Sequence, residues 1–289
     1  MNHKITGKGR PIIILRGLGR TFDYWLDFEV ELSKQFKVIM INLPGTDDEN
    51  ELTPITIKGT AQKVVEKIKE LKEELGEPPY DIFGLSLGGL TTLSIAYYYP
   101  KLVNRIAVAS ISITQLSYKR MYTLPFLKLM LMQIEPSGPV YPHRTFGKYL
   151  VSSDYLHGHQ RIVETWDHFW HRQNLSKKNF MRQLVAALFS LTPKMLSRIK
   201  ARTLVLSGEE DSLVPSDNSQ LIHECIKDSV HITLQRTGHD VTTEHPKLIT
   251  EMLKAFTSNI DLDEFKDKFQ TVKEAPEILQ LKLLSKKFP

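Results

Sequence analysis

The sequence predicts an α/β protein: a mostly parallel twisted sheet flanked by helices, with a helical cap inserted into it. Three observations carry this. Six short runs are apolar throughout rather than alternating, as strands buried on both faces must be. Helical patterns lie between them, and strand–helix alternation in this order implies parallel strands joined by right-handed crossovers. The alternation then breaks for about 90 residues, too long for a structureless loop, and that stretch is rich in helix formers and aromatics.

Taken in order, the strand candidates are PIIIL (11–15), FKVIMI (36–41), YDIF (80–83), RIAVASI (105–111), RTLVLS (202–207) and VHITLQ (230–235). The clearest helix is 60–76, where Val64, Val65, Ile68, Leu71 and Leu75 recur at three- and four-residue steps, lysines and glutamates fill the other face, and Gly76 suits a C-cap. A second helix, 88–100, is stopped by Pro100. The expected organisation is a core formed by residues 1–114 and 201–289 with a cap at 115–200. The tail beyond residue 258 carries an apolar spacing, ILQLKLL, that suggests a terminal helix packed on the core.

The length of 289 residues suits one large domain or a core with an insertion, and a hydrophobic content of 41% with 25% charged residues is that of an ordinary globular protein. One cysteine, Cys225, excludes an internal disulfide framework and fits a reducing compartment. The N-terminal run PIIIL is followed at once by RGLGR, which reads as a strand rather than a signal peptide. No stretch approaches a membrane span. A cytoplasmic protein is expected.

The net charge of +5 is unevenly placed. Residues 119–200 hold thirteen Lys/Arg against four acids, a net of +9, so the rest of the chain carries −4. Such asymmetry suggests an anionic partner or substrate for that segment, though charges solvating a helical surface account for it equally. Nucleic acid is not expected, because no recognised nucleic-acid motif accompanies the charge.

The chemistry centres on Gly84-Leu85-Ser86-Leu87-Gly88, a G-x-S-x-G between a predicted strand and a predicted helix. A strand that becomes a helix within about one residue puts Ser86 on a strained tip, where neighbouring side chains would clash. Gly84 and Gly88 remove them, and the Leu87 N–H then lies at a helix N-terminus, aimed where an oxyanion would form. A serine hydroxyl needs a base. Of ten histidines, His239 lies in a Gly-His loop directly after the last strand, with His245 as runner-up. His157, His159, His168 and His171 lie in the cap without a carboxylate or cysteine set at ligand spacing, so no metal site is expected. The base needs an acid, and Glu209, Glu210 and Asp211 follow the penultimate strand. The loop after the first parallel strand, ILRGLGRTFDYW, should supply the second oxyanion donor, with the Leu18 N–H between Gly17 and Gly19.

Together these residues resemble the α/β-hydrolase family over almost the whole chain. Four matches in family order carry the resemblance: the glycine loop 16–20, the elbow 84–88, GEEDSLVP at 208–215 and GHDVTTEHP at 238–246. It implies the triad Ser86, Asp211, His239, which is the reason to prefer Asp211 over its two neighbours. It further implies an eight-stranded sheet with the cap after the sixth strand. The family's usual His-Gly is Arg16-Gly17 here, placing either a cation near the site or a structural ion pair. Its usual Asp-x-Pro-Gly is Asn42-Leu43-Pro44-Gly45. The short stretch before PIIIL implies a first hairpin reduced or cut to one strand. Serine at the elbow argues against the dehalogenase and epoxide-hydrolase branches.

The expected activity is hydrolysis of a carboxylic ester through an acyl-enzyme, with no cofactor. Thioester hydrolysis, acyl transfer and C–C bond hydrolysis run on the same triad, and a non-catalytic receptor on this fold is the reading from another class. Arg16, Trp166, Phe169, Trp170 and Leu213 are candidate substrate contacts. Trp166, Phe169 and Trp170 stand with Leu184, Leu188 and Phe189 as pocket walls or ordinary cap core. The basic cap resembles that of pimeloyl-carrier-protein methyl esterases, implying an acidic carrier protein, with anionic lipid explaining the same charge.

Overall fold

In a computed structural model, residues 1–48, 50–113, 147–188, 191–258, 261 and 264–265 are described. Phe189, Lys119, Arg120, Lys128, Arg144 and the ILQLKLL tail lie outside them.

Seven strands form one sheet among the described residues: β1 (His3–Thr6), β2 (Pro11–Leu15), β3 (Lys37–Ile41), β4 (Tyr80–Leu85), β5 (Val103–Ala109), β6 (Arg202–Gly208) and β7 (Ser229–Leu234). Their order is β1-β3-β2-β4-β5-β6-β7, with β1 antiparallel to β3 and every other pair parallel. All six apolar runs are strands. The eighth strand implied by the family resemblance is not among them, and the first hairpin is reduced to β1. With one strand fewer, the insertion follows β5 of this chain rather than a sixth strand.

The all-apolar strands pack on both faces. Ile13, Leu15, Ile39, Ile41 and Ile82 join the helices Ile57–Glu70 and Leu87–Tyr98 on one side. Ile12, Ile14, Met40, Phe83 and Leu85 meet Trp25, Phe28 and the helix Pro246–Thr257 on the other. The predicted helix 60–76 is two pieces, Ile57–Glu70 and Lys72–Leu75, broken at Leu71. Its start lies three residues earlier than the spacing showed, because the Thr56 side chain accepts from the Gly59 N–H as an N-cap. The helix Leu87–Tyr98 is buried from Leu87 through Ala96, so it carries almost no amphipathic signal.

The chain leaves β2 toward β3 on one side and leaves β4 toward β5 on the other, although β2 and β4 are neighbours. Loops that diverge at adjacent strand ends open a crevice at the carboxyl edge of the sheet. Arg16–Arg20 follows β2 and Ser86 follows β4, so both lie at this switch point. Asp211 and His239 follow β6 and β7 at the same edge. Between β5 and β6 the described helices are Ser153–Gly158, Arg161–Arg172, Lys177–Leu188 and Pro193–Leu196.

Candidate active site

Ser86 lies between the last residue of β4 and the first of its helix, at φ 55°, ψ −118°. That is a left-handed backbone no ordinary serine prefers. Its N–H donates to Ala109 O at 2.9 Å and its carbonyl accepts from Leu90 N. Ser86 occupies the helix N-cap position, yet its hydroxyl makes no capping hydrogen bond. A capping serine adopts extended backbone, whereas this one is turned so that Oγ is not spent on the helix.

The glycines around it are required by contact. A Cβ on Gly84 would lie 2.4 Å from Gly88 O and from Thr92 Oγ1, and one on Gly89 2.5 Å from Ile111. A Cβ on Gly88 would lie 2.1 Å from Leu15 O. The elbow helix is thus seated directly on the end of β2, which brings the 16–20 turn to Ser86: a Cβ on Gly17 would approach Ser86 Cβ to 3.2 Å.

The 16–20 turn is held from above. Gly19 N–H donates to Gln183 Oε1 and Gly19 O accepts from Gln173 Nε2, both at 2.9 Å. With its neighbour's N–H occupied, Leu18 N–H remains the candidate donor of this turn. Gln183 also donates to Thr46 Oγ1 at 2.8 Å and Pro44 O at 3.3 Å, and Asn179 bonds Thr53 N and Glu51 O. These glutamines and Asn179 were not read from the sequence, because nothing local distinguishes them from solvated helix residues.

His239 Nδ1 lies 2.8 Å from Asp211 Oδ2. Asp211 Oδ1 accepts from Leu213 N and Val214 N at 2.8 and 2.9 Å, so its two oxygens are divided between backbone and imidazole. The other two acids are exposed; Glu209 accepts from Arg236 N at the surface. The Asp211 and His239 loops are pressed together, since a Cβ on Gly208 would lie 2.1 Å from Gly238 O. His245 is 2.8 Å from Thr237 Oγ1, a loop-bracing contact.

Arg16 is corrected as a substrate contact. It is 1% exposed and its guanidinium meets Asp240, Thr242 Oγ1 and Tyr24 O, with Trp25 stacked at 4.5 Å. It is the structural ion pair. Trp166 is likewise corrected as a pocket wall: it is fully buried in a cluster with Tyr24, Leu150, Val151, Leu213 and Val214. Leu213 is buried in the same cluster, and its N–H donates to Asp211 Oδ1. Phe169 packs edge-on against Tyr24 at 5.2 Å and Trp170 against Phe180 at 6.1 Å, both half-buried. Leu184 is buried and Leu188 exposed, so the expected apolar row divides between core and surface. Among the described residues no group of three His, Cys, Asp or Glu could hold a metal ion. None of the helices there is long and apolar enough to cross a membrane.

Glu244 is a further buried acid beside the site. Its Oε1 accepts from Gly238 N at 2.7 Å and Ser152 N at 3.0 Å, and Oε2 from Ser152 Oγ at 2.5 Å. It therefore joins the His239 loop to the insertion. Burial pushes its carboxyl up to about 7, against the pull of those hydrogen bonds. A folded-state value raised above the unfolded one gives stability that is complete below about pH 4.5 and lost as pH rises through 7. Glu244→Gln can keep all three contacts without a charge. Its melting temperature relative to the parent is expected to rise between pH 5 and pH 8, by up to about 3 kcal/mol in stability. An equal difference at both pH values would show that Glu244 does not titrate in this window.

A strained serine elbow at a sheet's topological switch point, with a histidine–aspartate pair on loops at the same sheet edge, defines a class: hydrolases built on an α/β sheet. The family model of the alpha/beta hydrolase fold matches residues 10–246, and the chain belongs to that family. RutD of Cronobacter turicensis, a provisionally named carbamate hydrolase, is 23% identical over 251 residues, covering 86% of this chain and 91% of its own. Human monoacylglycerol lipase ABHD6 is 20% identical over 276 residues, covering 88% of this chain and 78% of the lipase. The crystal structure of the enol-lactonase from Burkholderia xenovorans superposes with a TM-score of 0.74 at 19% identity, covering 89% and 96% of the two chains, a likeness of fold.

Proposed function

We propose that this protein is a cytoplasmic serine hydrolase of carboxylic esters. The observation that carries the reading is Ser86 on a strained elbow with its hydroxyl free of the helix cap, at the sheet edge where His239 is oriented by Asp211. With Nδ1 engaged by Asp211, His239 presents Nε2 as the base. Ser86 Oγ attacks the ester carbonyl and its proton passes to Nε2. The Leu18 and Leu87 N–H groups hold the oxyanion, and collapse expels the alcohol, which takes the proton from His239. Water then attacks the acyl-enzyme by the same route, releasing the acid and restoring Ser86. The names of RutD and ABHD6, carbamate hydrolase and lipase, are consistent with carbonyl attack.

The substrate is proposed to carry its acyl group on an anionic carrier protein or lipid. Lys148, Arg161, Arg172, Lys177, Lys178, Lys194, Arg198 and Lys200 are all exposed on the insertion. A fluorophosphonate probe is expected to label the protein stoichiometrically, and a series of p-nitrophenyl esters to show a chain-length optimum. Acyl-carrier protein should compete more strongly at low salt than at high salt if a carrier is the partner, and anionic vesicles if a lipid is. No labelling and no ester turnover would remove the reading.

A further inference from the structure

Arg16 and Arg20 bracket the Gly17-Leu18-Gly19 turn, and both guanidiniums converge on one carboxylate. Arg16 Nη1 meets Asp240 Oδ1 at 3.1 Å and Arg16 Nη2 meets Oδ2 at 2.5 Å. Arg20 Nη1 meets the same Oδ2 at 3.1 Å. Asp240 directly follows His239, and its N–H donates to Leu150 O at 2.7 Å. Its Oδ1 also accepts from Thr242 Oγ1 and Thr243 N. Aromatic faces line the cations: Arg16 lies over Trp25 at 4.5 Å, and Arg20 over Tyr24 and Trp166 at 4.7 and 4.5 Å.

Arg20 and Asp240 stay charged although buried. Burial pulls Arg20 down to about 10, still charged at neutral pH. Burial alone would raise the Asp240 carboxyl, but Arg16 and Arg20 outweigh it and hold it at about 2. Buried ion pairs contribute little net stability compared with apolar residues of the same volume, so the interest of this one lies in the geometry of its contacts. It joins two loops 224 residues apart in sequence.

We infer that Asp240 and Arg16 are positioning residues that tie the Leu18 oxyanion turn to the His239 loop, so that donor and base keep one spacing across Ser86. The inference rests on the serine-hydrolase reading above. Oxyanion contacts form only in the transition state, so loosening the tie should lower kcat and leave KM nearly unchanged. A purely structural role would lower the fraction of folded enzyme instead.

Activity per fluorophosphonate-titrated site separates the two. Arg16→Met, which leaves Asp240 paired with Arg20, is expected to lose roughly 10- to 100-fold in kcat on p-nitrophenyl butyrate with KM within about threefold. Arg16→Lys keeps the charge and loses the two-pronged contact, and is expected to lose kcat similarly. The double variant R16M/D240N also weakens the second tie, between Arg20 and Asp240, and is expected to lose at least as much kcat as R16M, again with KM within about threefold. Unchanged kcat per site, a rise in KM alone, full rescue by lysine or a double variant more active than R16M would each overturn the inference. Should R16M not fold, Arg16→Lys decides on the same criteria. Ser86→Ala separates the premise: if it still turns over the ester, the serine-hydrolase reading fails, and if it is inactive while both Arg16 variants keep kcat, only the tie fails.

Discussion

Ser86→Ala is expected to abolish ester turnover, with a loss of at least about 10³-fold in kcat, and to leave the melting temperature within about 2 °C of the parent. The size follows from the proposed covalent route: without Oγ that route forms no acyl-enzyme, and only the proposed oxyanion donors would still help. The small stability change follows from what the hydroxyl does in the fold. It caps no helix, and the hydrogen bonds that hold residue 86 are those of its backbone N–H and carbonyl. Alanine inherits the same positive φ and therefore the same strain. Stopped-flow turnover of p-nitrophenyl butyrate with a thermal melt on the same preparation checks both halves. Turnover within tenfold of the parent would remove Ser86 as nucleophile. A large drop in melting temperature would mean that its hydroxyl has a structural partner instead.

Gly88→Ala is expected to destabilise the fold by about 3 kcal/mol, among the largest effects of any single methyl group here. The added Cβ would lie 2.1 Å from Leu15 O, 2.5 Å from Leu15 C and 2.7 Å from Arg16 O, all of them backbone atoms. No side chain can swing away, so the elbow helix must lift off the end of β2. That movement carries Leu87 N–H away from the 16–20 turn, so the residual folded enzyme should also lose activity. Gly76→Ala is the contrast. Gly76 is at φ 77°, ψ −163° with nothing within 4 Å of the added Cβ, so only the backbone is penalised, about 2 kcal/mol for a conformation that essentially only glycine adopts. Urea denaturation of the two variants should therefore separate them by about 1 kcal/mol, with Gly88→Ala the less stable. Equal losses would mean that backbone conformation, and not the packing of the elbow on β2, sets the cost at Gly88.

The same contacts explain why the elbow was legible in the sequence. Its glycines answer to sterics within a few residues, and G-x-S-x-G between an apolar run and a helix states that requirement locally. The strands were equally legible, because burial on both faces leaves an unbroken apolar run in the chain. The Leu87–Tyr98 helix kept its place only through Pro100 and the strands on either side, since complete burial erases amphipathic periodicity.

Other features were beyond a linear reading. The spacing of Trp166, Phe169 and Trp170 marks one helical face, but it cannot say whether that face meets a ligand or the interior. Packing against Tyr24, Val151 and Leu213 decided that Trp166 is interior. Glu244, Gln183 and Arg20 look like ordinary polar surface residues until distant partners surround them. An arginine on each side of a glycine turn and an aspartate after the histidine were visible as residue types, and Arg16 was readable as a cation near the site or as half of an ion pair. The sequence by itself determined the sheet, the elbow and the chemical types at the site, because these depend on near neighbours and on burial patterns written along the chain. Only the tertiary structure decided that Arg16 is consumed by Asp240 rather than offered to a substrate, because charge neutralisation in a dry interior depends on distance in space, and residues 16 and 240 are neighbours only after folding.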